Sequence, residues 1–204
     1  MNCIKHIFLV ILIFIELQYV SAQYPSIGGA VSNNVTSFPV TGFPQLFYSQ
    51  FHPGLNAFME WKINKSEKHQ LCTAANLGFF YHRFIQSGVR IYPELDYKFF
   101  VNKQFNLNFG LGLGYLHSFE GYDVVIPLDN GGYKTRSAYT GRPQLLAVLN
   151  MGCAYKLSST NEKSPSLLLQ LHTNMQGPFV NSYVPVLPVN SLHIGISFPV
   201  IKNK

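Results

Sequence analysis

The sequence has few cysteines and no cluster of basic residues. Three cysteines occur in 204 residues, and Cys3 lies in an N-terminal segment that we expect to be removed. The other two, Cys72 and Cys153, fall in different predicted strands with their side chains on opposite faces. This predicts free thiols rather than a disulfide framework. The net charge is +6, but the lysines and arginines are scattered, which argues against a nucleic-acid partner.

Long apolar runs and helical periodicity are also missing. A helix needs about 20 apolar residues to cross a bilayer, and the apolar run at 7–15 is too short for that. With Lys5 before it and small residues at 20–22 after it, this run predicts a secretory signal peptide cleaved near Ala22. The mature chain, about 182 residues long, fits a single domain.

The segment 105–115 reads FNLNFGLGLGY, and its three glycines resemble the start of a phosphate-binding loop. A dinucleotide site requires a strand that ends at the first glycine and a helix that the third glycine opens. Here the glycines instead continue an alternation with apolar residues that begins at Phe105. Because side chains alternate between the two faces of a strand, the pattern predicts a strand and no nucleotide site.

The same alternation recurs along the chain and predicts an all-β fold. In each segment one face carries no charge, and the segments are 55–63, 71–81, 89–99, 105–115, 145–157, 167–175 and 192–200. Residues 45–51 supply a shorter eighth strand, whereas residues 23–42, rich in Ser, Asn, Gly and Pro, are interpreted as an N-terminal periplasmic arm. Compact turns alternate with longer loops, as in outer-membrane barrels with strands of about 9 to 11 residues. We therefore predict an antiparallel up-and-down transmembrane β-barrel of eight strands at 43–204, with short periplasmic turns and longer extracellular loops.

A soluble sandwich or a lipocalin would show the same alternation, so the membrane prediction depends on further features. Aromatic residues cluster near the ends of the apolar face, as in the interfacial girdles of membrane barrels. These residues are Trp61, Phe79, Tyr81, Phe99, Phe105, Tyr115 and Tyr155. The last apolar alternation resembles the C-terminal signal that the barrel-assembly machinery recognises, and it comprises Leu192, Ile194, Ile196 and Phe198.

Charges of both signs on the opposite face predict a polar network inside the barrel. The network comprises Glu60, Lys62, Arg90, Glu94, Asp96 and Lys98. Opposite charges can pair there across neighbouring strands, and each would be costly to bury alone. Because side chains just fill an eight-stranded barrel, we interpret the network first as a packed plug and only second as a conduit. The glycines at 110, 112 and 114 would leave room for Tyr92, Glu94 and Lys98.

Several segments give the chain a resemblance to a known class of proteins. They are Val20-Ser21-Ala22-Gln23 and residues 76–82, 109–116 and 192–198. The chain resembles the small outer-membrane barrels of the OmpX and OmpA type and, in style, the uncharacterised outer-membrane barrels of Bacteroidetes. The resemblance implies a location in the outer membrane of a Gram-negative bacterium, contact with outer-membrane lipid and lipopolysaccharide, and assembly by the barrel-assembly machinery. Residues 199–204 depart from it, since many members of the class stop at the terminal phenylalanine.

The extracellular loops are the regions that we expect to carry function, because loops on a rigid scaffold meet partners. Loop 119–141 mixes charges with tyrosines, as recognition surfaces do. Loop 176–190 is unusually apolar and either extends a strand and packs on the other long loop or forms a contact patch. We therefore expect a non-enzymatic barrel whose loops bind a surface ligand, lipopolysaccharide or an envelope protein partner.

The alternative is an outer-membrane enzyme that modifies lipid A or phospholipid, similar to a barrel deacylase known for a His-x-Ser-Asn motif. The candidate residues are His117, Ser118, Glu120 and His172. None of them matches that motif, and His117 and Ser118 would point to opposite faces of a strand, so they are not expected to act as base and nucleophile. His82 and His172 point inward near one end without an evident third metal ligand. We therefore expect no metal and no cofactor.

Overall fold

The computed structural model describes residues 25–200 except 65, 84, 162 and 180–182. The expected signal peptide and its cleavage near Ala22 lie outside these residues. The described part of the chain contains ten strands: β1 (Ser26–Thr36), β2 (Pro53–Lys62), β3 (His69–His82), β4 (Gln86–Phe100), β5 (Phe105–Phe119), β6 (Val124–Pro127), β7 (Tyr133–Arg136), β8 (Arg142–Lys156), β9 (Ser166–Gly177) and β10 (Leu187–Pro199). The same residues include two short 3-10 helices, Phe43–Phe47 and Ala138–Thr140. None of the helices described is long and apolar enough to span a membrane.

Eight of these strands form a closed antiparallel barrel in the order β1-β10-β9-β8-β5-β4-β3-β2. The strands β6 and β7 form a separate two-stranded hairpin in the connection between β5 and β8. Because each barrel strand pairs on both sides, closure satisfies the backbone hydrogen bonds that an open sheet edge would expose. The predicted eight-stranded up-and-down barrel is therefore confirmed.

The first barrel strand differs from the prediction. Strand β1 lies in the segment 23–42, which we expected to be an arm, yet it pairs with β10 from Ser26↔Pro199 onwards and also with β2. Residues 45–51, the expected eighth strand, instead contain the 3-10 helix Phe43–Phe47. Both predictions, and with them the domain boundary at 42/43, are wrong. The small residues of β1 resemble a linker because the neighbouring strand supplies the bulk: a Cβ on Gly28 would collide with the ring of Phe58.

The two faces of the barrel are clearly distinguished by polarity. Inside, most of the buried side chains are polar or charged. Outside, large apolar side chains from all eight barrel strands are exposed, including Ile27, Val31, Leu55, Leu77, Ile91, Leu95, Leu107, Phe109, Leu111, Leu113, Leu145, Leu167, Leu169 and Ile194. We call this outer surface the apolar wall. The interior of the barrel is called the lumen.

The two cysteines lie on opposite faces of the barrel. Cys72 on β3 is fully buried, whereas Cys153 on β8 is only partly buried. Both thiols are free, as the sequence predicted.

The two ends of the barrel carry different connections. The short-turn end has the connections 63–68, 101–104 and 157–165, and residues 25 and 200 also lie there. The long-loop end has the connections 37–52, 83–85, 120–141 and 178–186. Of these, 83–85 is the shortest, because β4 already begins at Gln86.

Candidate functional site

The glycines of the 105–115 segment lie within β5 and face the lumen. A Cβ on Gly110 would collide with the carboxylates of Asp96 and Glu94. A Cβ on Gly112 would lie 2.9 Å from Cδ2 of Tyr92. The glycines therefore allow the inward side chains of the neighbouring strand β4 to lie against the backbone of β5.

Gly114 has the closest contacts with main-chain atoms. A Cβ there would collide with the carbonyl oxygen of Ile91 and lie 2.7 Å from the Cα of Tyr92. Two of the three expected occupants, Tyr92 and Glu94, are found against these glycines. The third expectation is wrong: Asp96 occupies that space, because the side chain of Lys98 extends in another direction.

An ion pair joins β2 and β4 across β3 inside the lumen. Nζ of Lys98 donates to the two carboxylate oxygens of Glu60 at 2.5 and 2.6 Å, and both side chains are mostly buried. These two members of the predicted lumen network are therefore brought together. Lys62 lies further toward the short-turn end, where it lines the mouth of the barrel with Lys103 and Lys156.

Arg90 crosses the lumen to the opposite wall and is only 2% exposed. Its Nη1 donates to Oδ1 of Asn174 on β9 at 3.0 Å, and its Nη2 lies 3.4 Å from Nε2 of His193 on β10. Asn174 donates in turn to Ser191, and Ser191 donates to Asn34 on β1. Arg90 thus begins a polar chain through β9, β10 and β1, and among the described residues it has no carboxylate partner.

Glu94 and Asp96 lie between Arg90 and the Lys98 ion pair. Nδ2 of Asn76 donates to Glu94 at 3.1 Å, and Nδ2 of Asn150 donates to Glu94 at 2.9 Å and to Asp96 at 3.4 Å. Among the described residues, no lysine or arginine nitrogen lies within ion-pair distance of either carboxylate. The six charges of the predicted network therefore form separate groups rather than one continuous set of ion pairs.

An apolar layer fills the lumen toward the long-loop end. It consists of the buried side chains of Phe80, Tyr92, Leu116, Leu146 and Val148. On the other side of this layer lie a cavity of about 30 Å³ beside Glu94 and Asp96 and one of about 210 Å³ at the short-turn mouth. The interior is therefore mainly filled by side chains, as expected for eight strands.

Histidines form two stacked pairs within the barrel. The rings of His52 and His82 are 3.7 Å apart at the long-loop end, and those of His172 and His193 are 4.1 Å apart deeper in the lumen. Burial lowers the pKa of His52, which favours the neutral ring at pH 7 and avoids charge repulsion in the first pair. Among the described residues, no three His, Cys, Asp or Glu side chains form a group that could hold a metal.

The residues of the enzymatic alternative lie on different surfaces. His117 faces outward, with Nδ1 at 2.6 Å from the hydroxyl of Tyr115 and Nε2 at 3.3 Å from the carbonyl oxygen of Thr140. Ser118 is fully buried on the inner face. Strand β5 continues to Phe119, and the strand geometry keeps Ser118 on the face opposite His117, as expected.

The other two candidate residues of the enzymatic alternative, Glu120 and His172, also lie in different parts of the barrel. Glu120 lies beyond the end of β5 and pairs with Nε of Arg142 at 3.3 Å. His172 is buried in the lumen and stacks on His193. The four residues therefore do not form a nucleophile, base and acid arrangement of the kind that acyl transfer requires.

Arg142 connects the two long loops at their base. Its Nη1 donates to the carbonyl oxygen of Phe179 at 2.5 Å, and its guanidinium lies 4.8 Å from the centre of the Phe179 ring. With the Glu120 pair, this residue links the end of β5, the start of β8 and the connection 178–186. We call these contacts the Arg142 clamp. Arg142 was not predictable as a functional residue, because nothing in the local sequence distinguishes it from any other arginine that follows a loop.

The apolar segment 176–190 is partly a strand extension. Strand β10 begins at Leu187, and Leu187 and Val189 are buried within it. Tyr183, Val184 and Val186 remain exposed. Part of the segment therefore extends β10, and part contacts the other long loop through the Arg142 clamp. The rest is an exposed apolar surface.

The hairpin β6–β7 lies in the connection 120–141 at the long-loop end. It forms a sheet separate from the barrel. Exposed aromatic side chains flank or belong to it, namely Tyr122, Tyr133 and Tyr139. At its base the carboxylate of Asp123 accepts a hydrogen bond from the backbone N–H of Ala138 at 2.8 Å. The loop that contains the hairpin thus exposes three tyrosines.

The predicted girdle and assembly-signal residues lie on the barrel strands as follows. Trp61, Phe99, Phe105 and Tyr155 are near the short-turn end, and Phe79, Tyr81 and Tyr115 are near the long-loop end. Leu192, Ile194, Ile196 and Phe198 alternate with inward residues along β10, between β1 and β9. The girdle and assembly roles of these residues stay predictions.

No protein-family model matches this chain, and no curated protein matches it by sequence. Among solved structures, it is similar to Neisserial surface protein A, with a TM-score of 0.52 and 13% identity over 88% of this chain and 98% of that chain. Lower similarity is found to the outer membrane enzyme PagL (TM-score 0.48, 10% identity, 86% of this chain and 99% of that chain) and to Ail, the attachment invasion locus protein of Yersinia pestis (0.43, 12%, 87% and 97%). With TM-scores below 0.5, these two similarities support no conclusion about this protein. The first shows the fold alone, that of a small eight-stranded outer-membrane β-barrel.

Proposed function

We propose that this protein is a non-enzymatic outer-membrane barrel of a Gram-negative bacterium that presents its long loops for recognition. The main observation that supports this proposal is the apolar wall around a polar lumen. A soluble barrel has the reverse arrangement, because water would have to hydrate the exposed apolar side chains. In a bilayer the wall contacts acyl chains, and the closed barrel satisfies its own backbone groups. Outer-membrane lipid and lipopolysaccharide are then its immediate surroundings, and the barrel-assembly machinery its route of insertion.

The filled lumen supports a platform rather than a pore. The apolar layer around Tyr92 and the buried Lys98–Glu60 pair occupy successive levels of the interior. Such a barrel is rigid, and its function is expressed at its ends. The Arg142 clamp supports the same interpretation, because it holds the two long loops in a defined relation to each other.

The apolar wall gives a direct test of the membrane location. Leu111 lies in the middle of β5 and is 58% exposed. In water, Leu111→Arg would change stability little, whereas at the bilayer midplane an outward arginine costs about 2–4 kcal/mol. We expect urea titration in lipid vesicles to show a loss of that size, with Tyr139→Arg as the control, since Tyr139 is 92% exposed in a loop. Equal stability of the two variants would place the wall in water.

The hairpin β6–β7 is the surface that we propose for recognition of an envelope protein or surface ligand. A variant with residues 122–139 replaced by a short Gly/Ser turn keeps Glu120 and Arg142, and therefore the clamp. Affinity purification from solubilised outer membranes would compare it with the wild-type protein and with a Tyr133→Ser, Tyr139→Ser variant. We expect a molecule that copurifies with the wild type to be lost in both variants, while heat-modifiable gel migration stays unchanged. The same copurifying molecules in all three samples would refute recognition by the hairpin.

A further inference from the structure

We propose that the connection 37–52 is a lipid-binding segment, which lies against the outer face of the barrel within the outer leaflet of the membrane. It joins β1 to β2 at the long-loop end. We call it the β1–β2 segment. The inference rests on the membrane location proposed above and adds a lipid contact that belongs to none of the barrel strands.

The β1–β2 segment folds back over the outer face of β1. The exposed side chain of Val31 marks the outward positions of this strand, so Asn33 and Val35 also face outward. The side-chain amide of Asn33 donates to the carbonyl oxygen of Leu46 at 2.9 Å, and its Oδ1 accepts from the backbone N–H of His52 at 2.9 Å. Val35 is buried although its position faces outward. The segment therefore covers the end of β1 on the side that would otherwise face lipid.

Strand β10 holds the same segment through Asn190. This residue shares the outward face of β10 with the exposed Ile194. Its side-chain amide donates to Oγ of Ser37 at 2.8 Å and to the carbonyl oxygen of Phe38 at 2.7 Å. Its Oδ1 accepts from Oγ1 of Thr173 at 2.7 Å, and Thr173 is the residue opposite on β9. Both polar side chains are buried on the outer face, bonded to the segment or to each other.

The free side of the β1–β2 segment is aromatic and uncharged. Four of its side chains are between 65% and 78% exposed, namely Phe38, Phe47, Tyr48 and Phe51. The segment contains no lysine, arginine, aspartate or glutamate, whereas the connection 120–141 carries charges of both signs. Aromatic rings beside uncharged polar groups are typical of the boundary between headgroups and acyl chains. The composition therefore suits a lipid interface better than water.

The position of the segment favours lipid over a protein partner. Val31 pairs with Leu55 on β2, and Leu55 pairs with Phe79 on β3. Phe79 is one of the predicted girdle residues of the long-loop end, and Asn33 follows Val31 on the same outward face. The contacts of Asn33 with the segment thus lie close to the expected depth of the membrane interface. The exposed rings continue the apolar wall at its upper edge, where lipid already surrounds the proposed barrel.

The backbone of the segment is also suited to a place where water is scarce. Unsatisfied N–H and C=O groups are costly there. Pro39 and Pro44 have no N–H to satisfy. The N–H groups of Gly42, Phe43 and Ser49 donate to carbonyl oxygens within the segment at 3.0, 3.1 and 2.9 Å. Compact turns thus reduce the number of donors that the segment would expose to lipid.

Fluorescence quenching tests the location of the segment. Trp61→Phe removes the single tryptophan of the chain, and one new tryptophan then replaces Phe47, Leu111 or Tyr139. The proteins are refolded into phosphatidylcholine vesicles with bromine atoms near the headgroup end or near the middle of the acyl chains. We expect the shallow bromines to quench Phe47→Trp most and the deep bromines to quench Leu111→Trp most. Iodide on both sides of the membrane should quench Tyr139→Trp severalfold more than Phe47→Trp.

Removal of the two asparagines tests what holds the segment in place. Asn33→Ala with Asn190→Ala, added to the Phe47→Trp protein, removes the four hydrogen bonds to the segment described above. We expect iodide quenching of this tryptophan to rise severalfold. Asn64→Ala is the matched control, because Asn64 makes comparable hydrogen bonds in the turn 63–68 at the other end. Quenching that is unchanged in the double variant would refute the role of the two asparagines.

The quenching pattern separates failure of this inference from failure of the proposed function. Strong iodide quenching and weak bromine quenching of Phe47→Trp, together with deep quenching of Leu111→Trp, would place the segment in water. Its aromatic rings would then be a surface for a protein partner. Weak bromine quenching of both tryptophans would refute the membrane location itself. If Phe47→Trp does not fold, Phe38→Trp reports on the same segment.

Discussion

Gly114→Leu will prevent β5 from closing against β4, and we expect most of the protein to remain unfolded in a refolding assay. The added side chain would meet main-chain atoms of Ile91 and Tyr92 rather than the end of a flexible side chain. Overpacking costs about 1–3 kcal/mol where side chains can move aside, so a clash with the backbone of the neighbouring strand should cost about 3 kcal/mol or more. The fraction that shows heat-modifiable migration after dilution from urea into vesicles measures the effect.

Gly29→Leu is the matched control for this variant. Gly29 also lies in a barrel strand, but a Cβ there would only make an ordinary contact, 3.6 Å from the carbonyl oxygen of Asn56. We expect this variant to fold like the wild type. If Gly114→Leu folded equally well, the close packing of β4 against the glycines of β5 would be refuted.

Lys98→Met will destabilise the barrel by about 3–5 kcal/mol, because it leaves the carboxylate of Glu60 buried without a partner. Lys98 supplies both of the short hydrogen bonds that Glu60 accepts inside the lumen. The double variant Glu60→Gln with Lys98→Met removes the charge together with its partner and should recover most of that loss. Urea titrations of the wild type, the two single variants and the double variant give the coupling energy between the two residues.

Lys103→Met provides the comparison for the loss of a positive charge. Lys103 is exposed in the turn 101–104, where an ion pair would contribute at most about 1 kcal/mol. We expect its free energy of unfolding to stay close to that of the wild type. Additive losses in the Glu60 and Lys98 variants would show that the two side chains do not interact in the folded barrel.

Seven of the eight barrel strands were predictable from the sequence because their polarity alternates with a period of two. An apolar side chain at every second position, with charges confined to the other positions, specifies a two-sided strand whatever its neighbours are. The glycines in β5 were predictable for the same reason, since the alternation continues through them. The first strand was not predictable in this way. The inward residues of β1 are small, and only the neighbouring strand shows that Phe58 occupies the space beside Gly28.

The pairing of the lumen charges depended on registers between strands. The sequence indicated which side chains share the inner face, including Glu60, Arg90, Glu94, Asp96 and Lys98. It could not indicate that Lys98 reaches Glu60 across an intervening strand while Arg90 reaches Asn174 on the opposite wall. Those contacts join residues far apart in the chain, so no local sequence pattern predicts them. The Arg142 clamp was missed for the same reason.

By itself, the sequence determined that this protein forms amphipathic strands with one uncharged face, because that property belongs to each strand alone. The tertiary structure decided that β1 closes the barrel and that the carboxylates of Glu94 and Asp96 meet above Gly110. These features depend on how strands curve into a closed sheet and on which side chains then compete for the same interior space. Which side chains share the interior space is determined only when the barrel has closed.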